Sequence, residues 1–432
     1  MKSKRVIRAV GTLLAPLLVA GAMIAQTGAA SAGVAGQGGH HGPLYVSRDA
    51  RPHNADRSCH SAAFRTIQSA VNAAPAGGTV IVCPGTYHEQ VVIGKSLSLV
   101  GLRATIDEAG VTPALKVTIP GLGTPTIFAG VVILSSHVRF SGFTVRNALG
   151  EGVLAAGLTR PLRDLSITHN SVVHNDLGGG VPAASTYFEC AAQGPVPGDC
   201  GEGIHFVAVA YSQITGNRIA DNSGGVLLTD ETGPTHHNLV ANNVVTGNAS
   251  DCGITVPGHN PMALNAKGVP QPSVAEVYDN VIRGNVVTDN GVKGEGAGVL
   301  FANASAGTAS YNNLVVGNYI AGNGLAGVTM HAHTLMPGQF EDLNGNTITG
   351  NKIGKNNVDG DTLDSPPTGP GVRDLKTTGV LVFSGGTRVS VTIAHNLISN
   401  NFFGIWLSKP VAARGLRTNV FVHVHTPISA GH

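Results

Sequence analysis

The chain has 432 residues, with 27 Lys and Arg set against 25 Asp and Glu. So even a balance gives no attraction for nucleic acid or another polyanion. Charged residues make up 12% and hydrophobic ones 42%, which excludes an unfolded, charge-dominated chain.

Taken from its start, Met1–Ala32 reads as an export signal. Lys2, Lys4, Arg5 and Arg8 form a basic segment, Leu13–Ala25 an apolar core, and Ala30-Ser31-Ala32 a small-residue cleavage site. Pro16 and the short apolar length argue against a membrane span. Removing these four cations takes the formal charge from +2 to −2. The expectation is a secreted monomer with no span. Residues 33–58 read as a flexible segment, including the solvated pair His40-His41.

Between residues 61 and 101 the pattern predicts a helix over Thr66–Ala74, capped by Ser61, with Phe64, Ile67, Val71 and Ala74 on one face. GGTVIVCPGTYHEQVVI then predicts two strands and SLSLVGL a third. Such a helix would cover the open first layer of a sheet structure.

The remainder is one phrase repeated. Asparagines five residues apart recur as Asn170/Asn175, Asn217/Asn222, Asn243/Asn248, Asn285/Asn290, Asn318/Asn323, Asn351/Asn356 and Asn396/Asn401. Gly142 and Asn147 read as the same two slots in an earlier, degenerate copy. The first members lie 47, 26, 42, 33, 33 and 45 residues apart, as for a short unit with loops of varying length. This is the mark of a solenoid. Short β-branched runs broken by Asn and Gly predict strands pairing in parallel about 4.8 Å apart, with asparagine at left-handed corners.

From about residue 64 onward these repeats resemble right-handed parallel β-helix proteins. AFRTIQSAVNAAPAGGTVIVCPGTYHEQVVI is similar to the N-terminal capping region of pectinesterases and pectate-lyase-like secreted proteins. The resemblance implies an all-β fold: a single right-handed parallel β-helix over 59–432 with a capping α-helix. It does not imply pectinesterase activity, because that family's Asp-Phe-Ile-Phe-Gly and Gly-Arg-Pro-Trp motifs have no counterpart here. Tyr87 and Glu89 are therefore read as structural.

In an exported protein the cysteines read as disulfides. Cys59 and Cys83 would tie the helix to the first coil, and Cys190 and Cys200 would staple a loop. Cys252 is left as a small buried residue.

The strand after each second asparagine aligns through its first inward residue. The inward pairs are Ile204/Phe206, Val226/Leu228, Ile254/Val256, Val299/Phe301, Val328/Met330, Val380/Val382 and Ile405/Leu407. His205, Thr229, Asp230, Glu231, His259, Asn303, His331, His333, Trp406 and Lys409 then fall on or beside the outward face. Histidine beside carboxylates suits acid–base chemistry near neutral pH, so His205, Asp230, Glu231 and His259 are the candidate catalytic residues. Asn303, His331, His333, Arg373, Lys376, Trp406 and Lys409 are candidate substrate contacts. Loops 176–202, 231–238 and 357–378 flank the same strands and would wall a groove. The last resembles a calcium-binding loop loosely; it lacks the closing Glu, reads first as solvated, and would take Ca²⁺ if any cofactor.

Two functions fit. One is a polysaccharide-active enzyme. As a lyase it would use His205 or His259 as base and Lys409, Arg373 or Ca²⁺ as the cation. As a hydrolase it would pair Asp230 with Glu202 or Glu231. The other is a non-catalytic exported binder, since the repeats also resemble β-helix accessory proteins of copper-enzyme maturation. There His331/His333 and His236-His237 would hold a soft metal.

Overall fold

The computed structural model describes residues 42–431 except 52–56, 119–123, 125, 177–200, 259, 261–274, 294–295, 304–305, 333–340 and 359–375. The chain winds into coils of three or four short strands, and every strand pairs in parallel with its counterpart one coil on. Glu202–Val207 pairs with Val153–Ala156 on one side and Gly224–Thr229 on the other. The resulting outer sheet has eleven strands, running from Val91–Ile93 to Thr426–Ala430. A five-stranded sheet begins at Leu162–Arg163, and the remaining segments form a third face. This is a parallel β-helix. Among the described residues no helix is long and apolar enough to cross a membrane.

The aligned inward positions hold. Ile204 lies opposite Val226, Val226 opposite Ile254, and so on through Val299, Val328, Val380 and Ile405. All fourteen predicted inward side chains belong to one continuous buried core. Alternation of the side chains about a flat strand is enough to place them.

The asparagines do stack, though in a different conformation from the one expected. Within the files an asparagine Oδ1 receives both the main-chain and the side-chain N–H of the asparagine one coil back, as Asn217 does from Asn170 at 2.9 and 3.1 Å, while Asn401 at the end of its file receives only the main-chain N–H of Asn356. Positive φ is found on the residue before it, including His169, His174, Gly216, Asp221, Asn242 and His395. The left-handed residue makes the corner, and the asparagine after it turns inward to seal the freed amides. Gly142 (φ +78°) and Asn147 (φ +62°) accordingly hold corner slots, while Phe143 and Ala148 donate to Asn170 and Asn175. The repeat also has a third file, Asn238, Asn280, Asn313 and Asn346, each five residues ahead of a pair.

The cap is α1, Ile67–Ala73, shorter than expected and capped by Thr66 Oγ1 rather than Ser61. Ser61 instead ends a 3₁₀ turn, Cys59–Ser61. Glu89 accepts from the N–H groups of Ile67 and Gln68 at 2.8 and 2.9 Å, and Tyr87 donates to Cys83 O, so both are structural. Cys59 and Cys83 are bonded, with Cα atoms 5.7 Å apart. Leu44–Val46, expected in a flexible segment, is a strand paired with Val80–Val82. Cys190 and Cys200 lie outside the described residues.

Candidate active site

Two coils write the same words, GEGVLAA at 150–156 and GEGIHFV at 201–207. The register sets Ile204 on Val153 and His205 on Leu154, which places Glu151 and Glu202 on consecutive rungs. His205 stands between the core residues Ile204 and Phe206, so its ring lies on the side of the outer sheet away from the core. An oxygen of Glu151, an oxygen of Glu202 and a ring nitrogen of His205 all lie within 4.8 Å of one another. All three side chains are at most 1% exposed.

His205 is held at both ends. Its Nδ1 is 3.3 Å from Glu151 Oε1 and its Nε2 is 2.9 Å from Thr229 Oγ1, one coil further on. With the proton on Nδ1, the imidazole donates to the carboxylate and accepts from the hydroxyl. The result is a carboxylate–imidazole–hydroxyl relay of the sort that moves protons. Oxygen from two carboxylates and one imidazole nitrogen is also a donor set for a divalent cation. The nitrogen suits a transition metal better than Ca²⁺, which takes six to eight oxygens.

The sequence placed His205 correctly on the outward side but gave it the wrong neighbours. Leu227, not Asp230, stands opposite it, and Asp230 lies beyond Thr229 at the corner, buried. Glu231 follows in the turn. Asn303 falls at an inward-facing step and is fully buried, its Oδ1 filling the space a Cβ on Gly258 would need. His331 sits four strands beyond the His205 strand in the outer sheet, about 19 Å by rung spacing. Trp406 is not an open platform: it packs with Ala326, Leu381 and Phe383 in an apolar cluster. Lys376 covers the Phe402 ring with Nζ 4.1 Å from its centre, and Lys409 is exposed at a turn. His259, His333 and Arg373 lie outside the described residues. Glu151 was missed because the alignment began one coil too late; the repeated Gly-Glu-Gly was the signal that marks it.

An open hollow of about 390 Å³ lined by Arg103, Phe143, His169 and Arg218 lies at the first asparagine corner, on another face. It holds none of these acids.

Residues 129–334 match the family model described as a right handed beta helix region. The coils described above have that fold, a right-handed parallel β-helix. Among solved structures it is similar to the A-module of a mannuronan C-5 epimerase of Azotobacter vinelandii. That match has 16% identity and a TM-score of 0.49, over 84% of this chain and 92% of that one. It is also similar to an alginate lyase of Paenibacillus sp., at 11% identity and a TM-score of 0.47, over 84% and 96%. A lacto-N-biosidase of Eubacterium ramulus gives 12% and 0.46, over 90% and 68%. No curated protein matches the sequence.

Proposed function

We propose that the chain is an exported polysaccharide-active enzyme, a glycoside hydrolase acting through Glu151 and Glu202. The observation that carries this reading is the close approach of the two carboxylates beside His205. Retaining hydrolases hold their carboxyl groups about 5–5.5 Å apart and inverting ones about 6.5–9.5 Å, and the configuration of the released sugar decides between the two. Glu151, which faces His205 Nδ1, serves as nucleophile, its charge supported by the imidazole. Glu202 serves as acid and then base. His205 is a positioning residue that fixes Glu151. The similarity of residues 63–93 to secreted pectin-active proteins supports a glycan substrate, and the Cys59–Cys83 bond supports an exported setting.

The test is release of reducing ends from a panel of neutral and acidic polysaccharides, with ultraviolet absorbance reporting unsaturated product. Saturated products, and loss of at least a hundredfold in Glu151→Gln and in Glu202→Gln, are expected. Unsaturated products would overturn the hydrolase assignment, and a folded protein releasing nothing from any member would overturn the enzyme. His205→Asn should shift the pH profile; an unmoved profile at full rate removes its positioning role.

A further inference from the structure

The five-stranded sheet carries a second group that the carboxylate cluster does not use. On its outward side His236 lies opposite Tyr278, and Tyr278 opposite Tyr311. Adjacent residues in a strand normally face opposite ways. His237, however, is a corner residue with φ +55°, and this turn brings its ring to the same side as His236. Their Nδ1 atoms are 2.8 Å apart. Both rings are clamped. His236 stacks on Tyr278 with centroids 4.7 Å apart, and His237 stacks on Tyr211 at 4.9 Å. Behind the pair, Asp279 Oδ2 lies 3.7 Å from His237 Nε2. A carboxylate on that side favours the tautomer whose proton is on Nε2, leaving the Nδ1 lone pair free to bind.

We propose that His236 and His237 are a bidentate site for a divalent transition-metal cation, with Asp279 as the residue that orients His237. Two imidazole nitrogens bound at about 2.0 Å and lying 2.8 Å apart subtend close to a right angle at the metal. A tetrahedral angle would separate them by about 3.3 Å. The right angle is the one that square-planar and tetragonal ions adopt, so Cu²⁺ and Ni²⁺ are the ions of choice, and Cu²⁺ binds more tightly in the general order of affinities. The exposed edge of His237 leaves the other positions to water or a ligand from a partner. In the metal-free protein the same pair shares one proton in an N–H···N hydrogen bond.

The experiment is a Cu²⁺ titration of the full-length protein against a competing chelator, with electron paramagnetic resonance of the bound ion. Because any exposed histidine offers copper a ligand, the quantity read is the difference between the wild type and His237→Asn. Asparagine keeps the corner conformation, and circular dichroism checks the fold. His236→Gln is the second variant. Loss of one tight equivalent and of the two-nitrogen spectrum in each variant is expected. An unchanged number of tight equivalents in both would overturn the site. Asp279→Asn should weaken that equivalent about 10–100-fold, and unaltered affinity would remove its orienting role.

Discussion

Asn285 gives its main-chain N–H and its side-chain Nδ2–H to one atom, Oδ1 of Asn318, at 2.8 and 3.0 Å. Asn318 does the same to Asn351 on the next coil, at 2.9 and 3.0 Å. A buried corner amide has no water to fall back on, so these oxygens are what allows the backbone to turn there. Asn318→Ala should lower the free energy of unfolding by about 2–3 kcal/mol. Urea denaturation checks this; a loss under half a kilocalorie would mean that the ladder is incidental.

A column of glycines precedes the first inward residue of successive outer strands: Gly152, Gly203, Gly225, Gly253, Gly298, Gly327, Gly379 and Gly404. A Cβ on Gly327 would sit 2.8 Å from Asn356 Nδ2, from Gly379 O and from Ile353 Cγ2. The second asparagine file and the glycine column thus interlock. Gly327→Ala should cost about 1–3 kcal/mol. Gly94→Ala, with nothing within 4 Å, should stay within about 0.5 kcal/mol. Thermal melts of the two variants should therefore separate, and equal melting temperatures would refute the interlock.

Glu108 is 3% exposed, and among the described residues its carboxylate oxygens have no hydrogen-bond partner. Burial pushes its carboxyl up from an ordinary 4.5 to about 8. Between those values the folded chain keeps a proton that the unfolded chain has released, so stability falls as pH rises from about 4.5 to about 8. The loss is on the order of a few kcal/mol. Glu108→Gln should flatten that decline and be the more stable protein at pH 8. Urea midpoints at pH 5 and pH 8 provide the check, with parallel profiles for the two proteins counting against it.

Reduction of Cys59–Cys83, which are 24 residues apart, should cost about 3 kcal/mol by releasing the unfolded chain. The loss should fall on the cap, because Cys83 follows Gly78–Val82, whose Val80 and Val82 pack in one core with Ile67 and Val71 of α1. Hydrogen exchange with and without reductant should show faster exchange over 44–93 and little change near Asn318. Uniform acceleration would contradict this local assignment.

The core was legible because a strand has only two faces: once Ile204 is set inward, Phe206 must follow, and each coil repeats the choice. The third asparagine file was written at the same five-residue spacing. It was overlooked because Leu165 and Val391 occupy its slot in the first and last copies, so the pattern does not run the length of the chain. Corner conformation was misjudged by a single residue, since asparagine suits both the left-handed position and the stacking position, as Asn242-Asn243 shows. The site was half legible. His205 could be set outward from alternation, but its contacts with Glu151 and Thr229 run diagonally between rungs, and alternation along one strand is silent on diagonals.

The head-to-tail asparagine files have a consequence for how this chain can change length. Every corner hands its hydrogen bonds onward in the same direction, and the acceptor offered by Asn318 to Asn285 matches the one Asn285 offers to Asn243. Excising Asn285–Gly317 would join Gly284 to Asn318 and bring each later rung down one step with its partners unchanged in kind. The molecule can therefore shed or duplicate whole turns as a spring does, and insertions or deletions of one complete period cost only the contacts of that period.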